Sequence, residues 1–546
     1  MSNTLRKGGY SEMSNQSNQI KYRFNQYFNL PNPGLRAYFQ HVRSGSDEEY
    51  RTTFFRDKSL EDILQGWNRT LTKIKREWPT LYEFEDDLRK KVGPMSIMRP
   101  LQDRMPDIDS YYDSILLEST PISDAAVEAT INWFSPLRGL RVREQARTLD
   151  LMKKSTNSGS PYFTKRRTVV DKTYPSVVYS NTQILRTHEW GSAAVLGWRG
   201  QEGGPLFDDV KQRVVWMFPF AVNLCELQMY QPLIEGCQAH NLVPAWIGMD
   251  AVDREITALF DTKSKNDLII CTDFSKFDQH FNSDMQHCAR AILEGICAPS
   301  EDNREWLDKV FPIKYDIPLA YDYGKVRYGS HGMGSGSGGT NADETLTHRA
   351  LQFEAALSQH KTLNPHSMCL GDDGILSYPG ITIDDVVRTY SSHGQEMNTD
   401  KQYASKHDCT YLRRWHHTNY RVDGVCVGVY STFRALGRLA EQERYYDPEV
   451  WGPKMVALRQ LSIMENVKWH PLRDQFADYC MKGDKYRLGI DIPGFLDNIE
   501  AEAQKATDYM PDFLGYTKSL QYESRGKGAG TGISDWWIVK YLKSKA

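Results

Sequence analysis

The sequence predicts an α+β fold in which helix predominates and the sheet is small and antiparallel. Three observations predict it. Leu268 to Cys271 is a short apolar run ending at Thr272 and Asp273, the pattern of a buried strand with a carboxylate at its tip. Met368-Cys-Leu370, Gly371-Asp372-Asp373 and Gly374-Ile-Leu376 read as apolar strand, acidic turn and apolar strand, a hairpin. Around them apolar residues recur at helical spacing. Phe281, Met285, Cys288, Ile292 and Ile296 form one run, and Leu346, Ala350, Phe353 and Leu357 share one side of a second that follows Thr340.

In chain order, residues 1–30 are polar and expected to be loosely held. Residues 31–260 mix helical patterns with loops rich in Pro, Gly and Ser, such as "STNSGSPYF" (155–163) and "GWRGQEGGP" (197–205). The compact, readable part runs from 265 to 430. After Val427 the pattern is mainly helical up to "ESRGKGAGTGISDWW" (523–537), a Gly-rich loop with basic residues and a Trp pair.

A chain of 546 residues exceeds what one core organises, so several substructures are expected. No apolar run reaches the length of a membrane span, and the amino-terminal residues lack an apolar h-region, so a chain that is neither secreted nor membrane-anchored is expected. The nine cysteines contain no C-x-x-C pair, which argues for a reducing compartment over a disulfide framework or zinc knuckle. The net charge of −3 is unevenly spread. Arg138 to Arg213 holds fourteen Lys/Arg against seven Asp/Glu, a balance of +7 that leaves −10 for the rest. A basic segment in an acidic chain suggests a positive groove, with a solvated charged face as the plain alternative.

Adjacent like charges fed by buried strands are costly unless something positive neutralises them. A divalent cation does so, because magnesium takes one or two protein carboxylates plus substrate phosphates. Asp273 and Asp372 on neighbouring strand ends would supply one each, the arrangement of two-metal phosphoryl transfer. Between them lies "GSGSGGTNADE" (334–344), whose glycines satisfy G-x-G-x-x-G. A dinucleotide site also needs an acidic residue about twenty positions on, at the end of a second strand. The acidic residue available, Glu354, falls inside the following helix, so that reading fails. A plain linker fails too, because the segment joins two well-patterned elements.

Taken in order, strand–Asp, Ser-Gly-x-x-x-Thr opening a helix, and hairpin–Gly-Asp-Asp resemble the palm of viral RNA-dependent RNA polymerases. "DFSKFD" is similar to their motif A, "SGSGGT" (335–340) to motif B and "GDD" (371–373) to motif C. "KQRVV" (211–215) resembles motif F, with Lys211 and Arg213 at its basic positions and Arg199 upstream. "TNSGSPY" (156–162) resembles motif G, placing Ser158 and Gly159 beside the template path. "GQEMNTDK" (394–401) resembles motif D with Lys401 at its lysine, and "YLRR" (411–414) resembles motif E with Arg413 and Arg414 at the primer-grip turn. Motifs B and C and "GVYSTFRALGRL" (428–439) look most like picobirnavirus enzymes and next most like partitivirus ones, from small double-stranded RNA viruses. One departure stands out: where many relatives have a motif B Asn, this chain has Glu344. Thr340 and Asn341 are both candidates to partner Asp278 at the sugar.

The resemblance implies a closed right hand. Residues 1–265 would form the N-terminal region and fingers, 266–284 and 334–424 the palm, 285–333 a fingers insertion, and 425–546 the thumb and tail. It implies nucleotidyl transfer from NTPs to an RNA 3′-hydroxyl with two Mg2+ (or Mn2+) ions on Asp273, Asp372 and Asp373. Arg199, Lys211 and Arg213 would hold the triphosphate, and Lys401 would protonate pyrophosphate. Asp278 would read the 2′-hydroxyl, while Ser335 and Gly336 would keep a loop mobile beside the nascent pair. RNA template and product, NTPs and capsid protein are the implied partners, in the virion interior and host cytoplasm. Aromatic residues of 523–537 would stack on a first nucleotide in primer-independent initiation. A non-catalytic RNA-binding or capsid-associated protein and a template-independent nucleotidyl transferase are the competing functions. Three crowded carboxylates favour the template-directed enzyme.

Overall fold

The computed structural model describes residues 33–179, 182–186, 188–447, 449–506 and 532–546. The polar segment 1–30 and residues 523–531 of the tail lie outside them.

Ile269–Thr272 is apolar at successive positions because both its faces are covered. Ile269 and Cys271 face a core built with Val252, Ile256 and Leu259 of the helix Met249–Thr262. Ile270 faces the opposite core, shared with the helices Ser283–Ile296 and Thr340–Ser358. The strand is internal to a four-stranded antiparallel sheet in the order Met368–Leu370, Asp373–Leu376, Ile269–Thr272, Tyr403–Ser405. Gly374 pairs with Thr272 and Leu376 with Ile270, so Asp273 and the hairpin tip Gly371-Asp372 leave the sheet at the same edge.

The helix Ser283–Ile296 starts where the Asn282 side chain accepts from the Met285 N–H, and it buries Met285, Cys288, Ile292 and Ile296 as expected. The helix Thr340–Ser358 differs from expectation. Every residue from Ala342 to Gln352 is buried, so there is no single apolar side, and Leu357 is exposed where the helix emerges. Its polar residues can be buried because they have partners: Asp343 takes Tyr230 and Tyr315, Arg349 donates to the Ser367 carbonyl, and Gln352 donates to the Met368 carbonyl.

A second sheet runs Lys211–Met217, Ala194–Gln201, Leu319–Asp322, Lys325–Arg327. Its middle pair is parallel, Ala194 opposite Leu319, so a segment from between the acidic motifs completes a sheet begun upstream. The strand Ala194–Gln201 corrects the loop expected at 197–205. The glycines there mark close approach of backbones: a Cβ at Gly200 would lie 1.8 Å from the Met95 carbonyl oxygen.

The C-terminal part is helical as expected, in Thr432–Ala440, Pro453–Glu465, Arg473–Gly483, Ile499–Ala506 and Trp537–Lys545. It does not make its core alone. The helices Leu60–Leu71 and Pro79–Arg89 supply Trp67, Leu71 and Leu81 against Phe433, Leu436, Leu461 and Phe476. Trp67 Nε1 donates to the Thr432 hydroxyl at 2.7 Å. Trp536 and Trp537 pack on this same core, and the Trp537 N–H donates to Glu465.

Candidate active site

The edge where Asp273 and Asp372 leave the central sheet opens into a cavity of about 1600 Å3. Asp278, Lys401, Arg199, Lys211, Arg213, Ser335, Gly336, Thr340 and Asn341 line it with them. Gly371 adopts φ of +57°, a left-handed conformation that glycine allows and that turns the hairpin tightly. Its N–H donates to Thr345 Oγ1 at 3.0 Å, and its carbonyl contacts His348 Nδ1 at 2.8 Å, so the long helix fixes the turn from below. Asp273 is fixed from the other flank. Its N–H donates to Gln402 Oε1 at 2.7 Å and its carbonyl accepts from Gln402 Nε2 at 2.8 Å.

Desolvation inside the cavity, and next Asp278, raise the Asp372 carboxyl above its ordinary range, while Arg213 opposes this. Asp373 differs from its neighbour. It does not line the cavity; its Oδ2 accepts from the Leu412 N–H at 2.9 Å, and burial followed by Asp372 pushes its carboxyl up to about 7. Asp273, Asp278 and Asp372 thus direct like charge at one space, which a divalent cation would relieve. Among the described residues no three His, Cys, Asp or Glu side chains form a protein-only cage.

Opposite the acids, Lys211 and Arg213 are exposed on the strand Lys211–Met217. Arg213 donates through Nε to Gln201, and Arg199, its cross-strand neighbour, pairs with Glu443 at 3.5 Å. The glycine loop lies between the two charge groups. Ser335 donates to the Val214 carbonyl at 3.1 Å and Thr340 to the Gly334 carbonyl at 3.0 Å. Glu226 accepts from the Ser337 hydroxyl and, at 3.1 Å, from the Gly338 N–H.

The family model for viral RNA-dependent RNA polymerases matches residues 111–425. The chain belongs to that family. The polymerase is 63% identical, over 96% of its length and 98% of the relative's, to a potential RNA-dependent RNA polymerase of human picobirnavirus. The crystal structure of a human picobirnavirus RNA-dependent RNA polymerase superposes with a TM-score of 0.90 at 62% identity, covering 95% and 98% of the two chains. An insertion-loop deletion mutant of such an enzyme matches with a TM-score of 0.89 at 60% identity. The fold is therefore the right-handed polymerase fold, and no helix of the described residues is long and apolar enough to cross a membrane.

Some expected contact residues of the polymerase turn inward instead. Ser158 is 1% exposed, and its hydroxyl oxygen accepts from the Thr164 N–H while its carbonyl accepts from Phe220. Gly159 is buried against the Phe218 carbonyl at φ of +59°. Arg413 is exposed in the turn, but Arg414 is buried with both terminal nitrogens on Asp253, at 3.0 and 3.1 Å. Strand geometry sends Arg414 to the core side, and Ser158 is packed within its loop, so the side chains of both point away from the cavity surface.

One further cavity residue and three that support the site from behind carry no motif in the sequence. Arg166 lines the cavity and donates to Asn223 at 2.6 Å; the run Lys165-Arg-Arg167 inside the +7 segment was its signal. Gln402, Glu226 and Trp246 act through partners 95 to 129 positions away, and nothing local marks them.

Proposed function

We propose that the polymerase extends an RNA 3′-hydroxyl by template-directed, in-line attack on the NTP α-phosphate, in replicating and transcribing a double-stranded RNA genome. One observation carries this reading: Asp273 and Asp372 share an edge of the sheet and face Lys211 and Arg213 across one cavity. Asp273 and Asp372 would hold two divalent ions, Mg2+ or Mn2+, which when bound activate the hydroxyl and offset charge on the leaving pyrophosphate. Asp373 supports the turn that presents Asp372. Lys211 and Arg213 hold the triphosphate, Arg213 with its planar fork. Lys401, exposed at the cavity wall, delivers a proton to the pyrophosphate oxygen. Asp278 accepts a hydrogen bond from the ribose 2′-hydroxyl. Copying within a particle makes the capsid protein a neighbour, and the virion interior and host cytoplasm the places of action.

The test is incorporation of labelled NTP by purified protein on an RNA template with Mg2+ or Mn2+. Asp372→Ala is expected to lower incorporation by at least about 100-fold, the scale of losing a principal electrostatic group. A variant near wild type would overturn the assignment of Asp372. Product formed without template would point to template-independent addition.

A further inference from the structure

The turn between Asp273 and Asp278 carries a lysine that the mechanism above leaves unused. Lys276 lines the cavity, and its Nζ pairs with Asp107 Oδ1 at 3.4 Å, both side chains being half-exposed. Its backbone is left-handed, with φ of +53°, a conformation that a residue with a side chain seldom adopts. The turn is clamped on either side of it. The Ser275 N–H donates to the Glu396 carbonyl at 3.0 Å, and the His280 N–H donates to the Lys276 carbonyl at 3.0 Å. Backbone strain of this kind persists only where the surrounding structure holds it.

Asp107 comes from a distant part of the chain. It lies on the helix Leu101–Asp113, whose residues Arg104, Asp107 and Tyr111 recur at three- and four-residue spacing and form one wall of the cavity. Arg104 and Asp107 precede the stretch that matches the family model. Arg104 is 4% exposed, with its guanidinium 5.9 Å from the centre of the Trp198 ring, and neither of its terminal nitrogens has a hydrogen-bond partner. Burial lowers its pKa, and Asp107 is the strongest influence in the other direction. A buried guanidinium whose nitrogens lack partners is costly. Side chains three positions apart on a helix are neighbours. The Asp107 carboxylate therefore stands between two cations, Lys276 on the facing turn and Arg104 on its own helix.

We propose that Asp107 is an exchange carboxylate for polyphosphate entry: it releases Lys276 to the triphosphate of an incoming NTP and turns to Arg104. A triphosphate carries more charge than one carboxylate and offers the ammonium several oxygens, so it displaces Asp107 from Lys276. Repulsion from the same phosphates drives the freed carboxylate toward Arg104. With Asp107 on Lys276, Arg104 is the cation left over. With a polyphosphate on Lys276 and Asp107 on Arg104, each cation has an anion. Pairing the buried guanidinium thus adds to the affinity for polyphosphate, and Arg104 acts on the ligand through Asp107 as a positioning residue. That the ligand is an NTP rests on the polymerase reading above.

The experiment titrates two probes by calorimetry in metal-free buffer: inorganic tripolyphosphate and a single-stranded RNA with a 5′-hydroxyl. The proteins are wild type, Lys276→Ala, Asp107→Asn, Arg104→Gln and the double variant Asp107→Asn with Arg104→Gln. Lys276→Ala is expected to weaken tripolyphosphate binding by about tenfold, the scale of one charge-assisted contact. Asp107→Asn, which removes the competitor for Lys276, is expected to strengthen it by about threefold. Arg104→Gln, which removes the resting place of Asp107, is expected to weaken it by about threefold, an effect that shrinks below about 1.5-fold when Asp107 is Asn. NTP KM on an RNA template should follow the tripolyphosphate affinities, with kcat and the affinity for the 5′-hydroxyl RNA within about twofold of wild type. If Arg104→Gln does not fold, Arg104→Met, of similar length and without charge, is read in its place. A Lys276→Ala protein that binds tripolyphosphate like wild type would overturn the proposal. So would an Arg104 effect of equal size with and without the Asp107 carboxylate, which shows no exchange. Loss of RNA affinity with tripolyphosphate binding unchanged would assign the cations to the RNA backbone and overturn it too. Wild-type protein that shows the expected tripolyphosphate pattern but no template-directed incorporation would overturn the polymerase mechanism and leave the exchange standing.

Discussion

A Cβ at position 336 would stand 1.5 Å from the carbonyl oxygen of Trp216, which lies on the strand that carries Lys211 and Arg213. That neighbour is backbone, so no side-chain rotation relieves the overlap, and either the glycine loop or the basic strand must move. The Ser-Gly-x-x-x-Thr pattern pointed to a mobile loop; the structure adds a tight contact that sets its distance from the triphosphate-binding strand. Gly336→Ala is therefore expected to destabilise by about 1–3 kcal/mol, the range for overpacking. It should also lower incorporation by tenfold or more, because a 1 Å displacement at a reacting site carries a cost of about 100-fold. Gly380→Ala is the control: nothing lies within 4 Å of its Cβ position, and only its left-handed φ of +74° is strained. Thermal melting and the template assay measure both, and a Gly336→Ala enzyme with wild-type rate would refute the spacing argument.

Among the elements, the strand Arg414–His417 is tied to the helix Met249–Thr262 by one carboxylate. Asp253 accepts from Arg414 at 3.0 and 3.1 Å and contacts His416 Nε2 at 2.9 Å. Burial works against the charge, yet His416 and Arg414 hold the Asp253 carboxyl below its ordinary range. Removing one partner of such a pair leaves an uncompensated buried charge, so Asp253→Ala is expected to destabilise by about 3–5 kcal/mol in chemical denaturation. The double variant Asp253→Leu with Arg414→Met should lose less, because no buried charge remains unpaired. A single variant within about 1 kcal/mol of wild type would contradict the tie. This element also marks where legibility stops. "YLRR" gave the turn, but one pattern cannot say which arginine enters the core; the left-handed φ of +61° at Arg413 and the pairing of Arg414 with Tyr430 decide it. The strands around the acidic motifs were legible because their periodicity is local and both faces are covered. The wrapping of the helix Thr340–Ser358 was not, because its burial comes from neighbours on every side.

Across the whole molecule, the amino-terminal helices close onto the C-terminal core, and Trp67 meets Thr432 across 365 positions. No local pattern announces such a partner. Ion pairs from Arg199 to Glu443 and from Arg434 to Glu202 join the upstream sheet and its following loop to the C-terminal part, so the cavity lies within a closed ring. Polar groups are also buried within the central core, and His331 is one of them. It is fully buried, its ring 4.2 Å from that of Trp216, with its nitrogens against the Ile317 and Gly332 carbonyls. Burial lowers its pKa to about 4, and does the same for His348 under the acidic turn. Both groups are therefore depressed below their unfolded value, so the stability they contribute is fully present above about pH 6.5 and is lost as pH falls through 4. Glu441 acts in the opposite sense: burial raises its carboxyl to about 7, so its contribution is present below about 4.5 and fades as pH rises through 7. Asp373, raised to about 7 by the same cause, opposes the histidines as Glu441 does, so each histidine's share, roughly 3 kcal/mol between pH 6.5 and 4, is read as the difference between wild type and a histidine variant. His331→Phe keeps a ring against Trp216 but takes up no proton. It should be less stable at pH 7, where one carbonyl loses the N–H of the neutral ring, and its acid limb should be shallower than wild type by about one histidine's share. Denaturant titrations at stepped pH measure both curves, and an acid limb as steep in His331→Phe as in wild type would show that the buried imidazole takes up no proton on unfolding.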